Sequence, residues 1–148
     1  TGAWCWFNND SINYCQFGKF YNWYAVHDPR GLAPFGWHIP SDEEWTTISD
    51  YLGVNSGLKM KTSYGWGWRD GGWPNSGNGN NSSGFSALPL GHRNSNGSFP
   101  NEYAALFWSS TDGNIYNSSW SRYLTNEDYI YRQLFDKNEG QWVRLIRD

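Results

Sequence analysis

A chain of 148 residues is the size of one domain and can bury about 70% of its unfolded surface without help from a metal or a partner. Hydrophobic residues make up only 38% and mean hydropathy is −0.77, yet 20% of the chain is aromatic, with 11 Trp, 10 Tyr and 8 Phe; that excludes disorder and predicts some rings at the surface, where their polar tips find partners. A net charge of −3 with no run of Lys or Arg argues against nucleic acid, and no apolar stretch approaches the ~18 residues of a membrane helix.

In chain order, the first signal is the pair Cys5 and Cys15, separated by Asn8, Asn9, Asp10 and Ser11, which favour a tight reversal. A disulfide across this loop would contribute roughly 2–3 kcal/mol in the chain-entropy view and imply an oxidising compartment; two separate thiols are the alternative. No signal peptide stands at the N-terminus, so the chain reads as a mature or excised soluble domain. Residues 18–26 mix aromatic and small side chains and read as either a strand or a short helix, the helix being favoured.

The clearest local signal follows Pro40: Ser41-Asp42-Glu43-Glu44 is a Ser-x-x-Glu capping box with acids at the positive end of a helix. The spacing predicts a helix over Asp42–Leu52 whose apolar face uses Trp45, Ile48, Tyr51 and Leu52, stopped by Gly53. Residues 63–83 are rich in Gly, Asn, Ser and Pro without a period, and read as a long irregular loop carrying Trp66, Trp68 and Trp73. Long loops of this kind are usually functional. Strand-like pieces come next at 85–88, 103–109, 119–124, 129–135 and 141–146, with turn signals at Asn96-Gly97, Asp112-Gly113 and Glu139-Gly140. One good helix followed by antiparallel strands indicates an α+β class, with small antiparallel sheets, one or two short helices and long irregular loops in a single domain spanning 1–148.

Two groups of residues stand out as ligand-binding candidates. The first is the loop group Trp66, Trp68, Arg69, Trp73 and Asn75, with Asp70 beside it. Flat indole faces suit the C–H edges of a pyranose and planar amides suit its hydroxyls; packing of one or two of these tryptophans onto the core is the alternative. The second group is Tyr116, Asn117, Arg122, Tyr129, Tyr131 and Arg132, with Asn114, for which a half-solvated sheet face with cross-strand tyrosine pairs is the competing reading. Arg69, Arg122 and Arg132 hint at an anionic polymer through bidentate pairing. Trp23, Trp37, Trp45, Trp108, Trp120 and Trp142 are assigned to the core instead. His27, His38 and His92 are isolated, so no transition-metal site is expected, and His38 reads as a core residue. Asp10, Asp112, Asp128 and Asp136 leave room for Ca²⁺, without an EF-hand pattern.

The blocks Phe17-Gly18-Lys19-Phe20-Tyr21-Asn22-Trp23-Tyr24-Ala25-Val26, Gly36-Trp37-His38-Ile39-Pro40-Ser41-Asp42-Glu43-Glu44-Trp45, Ser83-Gly84-Phe85-Ser86-Ala87-Leu88-Pro89, Trp108-Ser109-Ser110-Thr111 and Val143-Arg144-Leu145-Ile146-Arg147-Asp148 resemble the Fibrobacter succinogenes major paralogous domain family over nearly the whole chain. The resemblance implies a C-type lectin-like fold, secretion or surface display in bacteria, a place within a larger multidomain protein, and a disulfide between Cys5 and Cys15. In that fold the second candidate group lies on the usual ligand face. The chain departs from the family pattern in the Trp-rich insertion 64–80 and at Gln141-Trp142, where Phe-Ser is commoner.

The expected function is therefore a non-catalytic module that binds an extracellular polysaccharide, an acidic one being what the arginines hint at. The alternative is an adhesion or assembly module using the same aromatic face, since Trp, Tyr and Arg also dominate protein interfaces. An enzyme is not expected. Glu43 and Glu44 are explained by helix capping rather than by a glycosidase pair, no nucleophile elbow is present, and the C-terminal half lacks the cysteines that formylglycine-generating chemistry would need.

Overall fold

The computed structural model describes residues 1–67, 76–100 and 103–148. Short elements build the N-terminal part: β1 (Trp4–Cys5), α1 (Ser11–Tyr14), β2 (Phe20–Tyr21), α2 (Trp23–Val26), β3 (Trp37–His38), α3 (Asp42–Leu52) and α4 (Ser56–Met60). The C-terminal part supplies β4 (Ala105–Asp112), β5 (Ser118–Leu124), β6 (Ile130–Asp136) and β7 (Ile146–Arg147). These strands form antiparallel sheets β1-β2, β3-β7 and β4-β5-β6, so the class is α+β.

The helix α3 has the predicted limits because its capping box is complete: Ser41 Oγ accepts from the Glu44 amide and Glu44 Oε2 accepts from the Ser41 amide. Trp45 is buried and Ile48 and Leu52 pack beside it, but Tyr51 is 87% exposed, so the apolar stripe is narrower than its spacing suggested. The helix expected over 18–26 divides into β2 and the single turn α2. Tyr21 exchanges backbone hydrogen bonds with Gln141, and the Asn22 side chain then caps a new helix by accepting from the Ala25 amide.

Among the strand-like pieces, β5 and β6 match within a residue and β4 begins slightly later than expected. Residues 85–88 form no strand and contribute one bridge, Lys61 to Ala87. The segment 141–146 does not run as one strand either: Gln141 pairs with Tyr21, Trp142 bridges Phe107, and only Ile146–Arg147 form β7 against β3. This returning segment thus stitches the β1-β2 pair, the three-stranded sheet and the β3-β7 pair together.

Two clusters make the core. Trp45, Met60, Trp66, Ala87, Ala105, Phe107 and Leu124 form one, and Trp23, Val26, Ile39 and Trp108 the other. The indole N–H groups of two of these core tryptophans are satisfied, Trp23 Nε1 by Ser109 O at 3.1 Å and Trp108 Nε1 by Tyr21 O at 2.7 Å. Of the tryptophans assigned to the core, Trp23, Trp45 and Trp108 are buried, Trp120 and Trp142 are half-buried, and Trp37 is exposed. Cys5 and Cys15 are free thiols, which corrects the expected disulfide. Cys5 is held half-buried opposite Phe20 in the β1-β2 pair, whereas Cys15 opens a 3₁₀ turn at the surface, its sulfur directed to Gln16 Oε1.

His38 is not a core residue. Its Nδ1 lies 2.6 Å from Asp148 Oδ1 and its Nε2 2.9 Å from Glu44 Oε1. These two carboxylates tie β3 to the N-terminus of α3 and to the residue after β7.

Candidate functional site

Trp68, Arg69, Trp73 and Asn75, with Asp70, lie outside the described residues. Trp66, the remaining member of the loop group, is fully buried. Its Nε1 donates to Thr62 Oγ1 at 3.0 Å, its amide donates to Asn78 Oδ1 at 3.0 Å, and the Lys61 ammonium sits 5.3 Å from its ring. Trp66 is therefore a plug that fixes the loop to the first core cluster, and its assignment as a ligand platform is corrected. A ring without solvent-facing area cannot stack on a sugar.

The second group divides in the same way. Arg122 is buried and its guanidinium bonds to the Asp42 carboxylate, to Asp42 O and to Thr46 Oγ1, so it anchors α3 to the sheet and is withdrawn from the site. Arg132, its cross-strand partner, lies 3.3 Å above the Trp120 ring centroid, and its Nε donates to Asp42 Oδ2 at 2.8 Å. Tyr131 stacks on Tyr123 at 4.9 Å across β5 and β6, a pairing that stabilises the sheet. Tyr129 is exposed, just before β6.

Tyr116 is the most open member of this group, at 99% exposure, and stands at the tip of the β4-β5 hairpin with φ of 51°. A bulky side chain pays a steric cost in this left-handed region. Below it, Asn117 accepts from the Tyr24 hydroxyl at 2.6 Å and donates to Asp136 Oδ1 at 3.0 Å, while Asn138 donates to the same carboxylate at 2.8 Å. Lys137 pairs with Asp112 nearby at 2.7 Å, and this pairing holds the Asp112 carboxyl below its ordinary pKa. The tip thus presents one exposed ring beside a network of amides and carboxylates.

The concave site lies elsewhere and was missed by sequence reasoning. A groove of about 300 Å³ is lined by Phe17, Gly18, Lys19, Tyr21, Trp142 and Arg144, with Ser86, Leu88, Phe107 and Val143 completing its walls. The pairing of Tyr21 with Gln141 and of Phe107 with Trp142 brings these three segments to one place. Trp142 leans on Phe20 at 4.5 Å between ring centroids. Gly18, at φ of 93°, leaves the edge of this indole open: a Cβ there would meet Trp142 Cζ3 at 3.3 Å. Burial raises the pKa of the Tyr21 phenol in the same groove, keeping it protonated as a donor. The available signal was the run Trp142-Val143-Arg144. In an extended segment, residues two apart share a side, and Val143 and Leu145 are the ones that pack against the second core cluster.

Two further cavities adjoin. One of about 400 Å³ shares Tyr21 with the groove and is lined by Trp4, Ala25, Asp28, Arg30 and Leu32. The other, about 220 Å³ and mostly apolar, shares Arg144 and is lined by Trp45, Ile48, Phe85, Leu145 and Ile146. Among the described residues no cluster of three or more His, Cys, Asp or Glu side chains is placed to hold a metal ion, and no helix is long and apolar enough to cross a membrane.

No curated protein and no solved structure matches this chain. The family model described as the Fibrobacter succinogenes major domain matches residues 1–147, and the chain belongs to that family.

Proposed function

We propose that this domain is a non-catalytic carbohydrate-binding module, secreted or displayed on a bacterial surface as part of a larger protein, that binds an extracellular polysaccharide. The observation that carries this reading is the groove in which Trp142, Tyr21 and Phe17 line a space of about 300 Å³ open to solvent. A sugar ring needs a flat apolar face on one side and hydrogen-bonding groups at its rim; Trp142 supplies the first, and Tyr21, Ser86, Lys19 and Arg144 supply the second. The three small antiparallel sheets joined by the returning segment 141–146 support a C-type lectin-like fold as part of the same reading. Non-catalytic action fits the placement of the acids, since Glu44 is engaged by His38 and Ser41 and Asp42 by Arg122 and Arg132.

Adhesion or protein assembly is the second reading, favoured by the apolar cavity between Trp45, Ile48, Phe85 and Ile146, which would accept an aliphatic side chain. A glycan array followed by calorimetry separates the two. Saturable binding to a polysaccharide that Trp142→Ala lowers by about tenfold or more, with the far-ultraviolet spectrum unchanged, is the expected result. Absence of binding to any glycan, together with self-association that rises with concentration, would replace the first reading by the second.

A further inference from the structure

Two cations, Arg144 and Lys19, line the groove. The Arg144 guanidinium lies 4.8 Å from the Phe85 ring centroid and 5.9 Å from that of Phe107, and its Nη2 donates to Phe85 O at 3.1 Å. Lys19 Nζ lies 3.5 Å from the Trp4 ring centroid and 5.1 Å from that of Trp6. Neither has a carboxylate at salt-bridge distance among the described residues, while Arg30 is taken by Asp28, Arg122 and Arg132 by Asp42, and Lys137 by Asp112. Glu44 lines the cavity on the other side of Arg144, but it is held by His38 and the Ser41 amide.

Arg144 keeps an exposed side at the groove, but the part of its guanidinium packed on Phe85 and Phe107 carries a desolvation penalty that pushes its pKa down. An anion entering the groove would offset that penalty. The contact with Phe85 O also fixes the plane of the guanidinium, so its remaining N–H groups are pre-aimed and little rotamer freedom is lost on binding.

We propose that the groove recognises an acidic sugar, one bearing a carboxylate or a sulfate ester, with the anion on Arg144, the second positive charge from Lys19, and the pyranose face against Trp142. This rests on the carbohydrate reading and narrows it to a ligand class. Planar, two-pronged anions match the guanidinium fork, and an ammonium on an aromatic support adds charge without demanding geometry.

The test is calorimetry of the 148-residue chain against polygalacturonate, dextran sulfate, hydroxyethyl cellulose and poly-glutamate, over a range of NaCl concentrations. Binding to one of the two acidic polysaccharides, weakened by salt, with little binding to neutral cellulose or to poly-glutamate, is expected; which acidic polymer binds identifies the anion. Arg144→Gln should lower the affinity about tenfold, Arg144→Lys less, and Lys19→Gln several-fold, with melting temperatures near that of the parent chain. Lys19 makes no protein hydrogen bond among those described, so its variant tests charge recognition even if Arg144→Gln fails to fold. Neutral cellulose bound as well as the acidic polymers, with Arg144→Gln and Lys19→Gln unchanged, would overturn the acidic assignment and leave the carbohydrate reading standing. Poly-glutamate bound equally well would overturn recognition of a sugar, and no polymer bound at all would overturn both.

Discussion

At Trp142 the indole Nε1 is closed off from solvent and meets no acceptor among the described residues. Leaving such a donor without a partner costs about 1–3 kcal/mol, so this side chain is a poor choice for stability alone, and its value must lie in the ring. Trp142→Phe removes the orphaned donor and keeps an aromatic face, whereas Trp142→Ala removes both. Urea denaturation is expected to place Trp142→Phe within about 1 kcal/mol of the parent chain and Trp142→Ala about 2 kcal/mol below it, the half-buried ring losing less than a fully buried one. A loss of 2 kcal/mol or more in the Phe variant would mean that the indole N–H contributes to the native state after all. Sequence reasoning placed Trp142 in the core because part of the residue does pack there; the part that lines the groove becomes visible only once Trp142 is paired with Phe107 beside Tyr21.

Among the elements, the junction of β3, α3 and β7 is pH-dependent. Both ring nitrogens of His38 face carboxylate oxygens, of Asp148 and Glu44, and a carboxylate only accepts. Both nitrogens must therefore donate, which requires the imidazolium, and the two bonds raise the His38 pKa above its ordinary value of 6.5. The stability this supplies is complete below about pH 6.5 and is lost as pH rises through the raised pKa. Glu44 acts at the other end: the Ser41 amide and His38 lower its pKa from 4.5, so its contribution is present above about pH 4.5 and lost as pH falls through the lowered value. The melting temperature should therefore fall on the alkaline side in the parent chain, and this slope should be missing in His38→Gln. An NMR titration in which the His38 ring shows a pKa at or below 6.5 would contradict the arrangement. Half of this junction was legible, because Ser41 and Glu44 are three residues apart and their geometry is local; the bond to Asp148 joins residues at opposite ends of the chain and leaves no local pattern. The same distinction explains why α3, β5 and β6 were foreseen, while the pairing of Gln141 with Tyr21 and the groove it creates were not.

On the scale of the whole molecule, Lys61 joins parts that no sheet connects. It is fully buried, and its Nζ donates to Gly77 O at 2.6 Å, Glu127 O at 2.7 Å and Thr125 O at 3.1 Å. One ammonium thus gathers the end of the long loop and the β5-β6 connection onto the chain that follows α4, beside the Trp66 plug. Close approach of the same parts is built into Gly57, where a Cβ would fall 2.5 Å from Tyr129 O. Carbonyl oxygens converging on one point repel each other unless a positive donor sits among them, and the side chain is costly to bury unless those oxygens replace its water. Lys61→Met keeps the stem volume and deletes the charge. It relieves the desolvation of the ammonium but leaves three acceptors to seek new donors, at about 1–3 kcal/mol for each that finds none. The net expectation is a loss of about 3 kcal/mol by guanidinium denaturation, with hydrogen exchange accelerated first at the amides of Gly77 and Gly79, which bond to Gly67 O and Thr62 O. Because the groove draws its walls from Tyr21, Phe107 and Trp142 rather than from this loop, polysaccharide affinity measured at a temperature where the variant is folded should stay within about twofold of the parent chain. Affinity that falls together with loop protection would place the ligand on the loop side of the molecule instead.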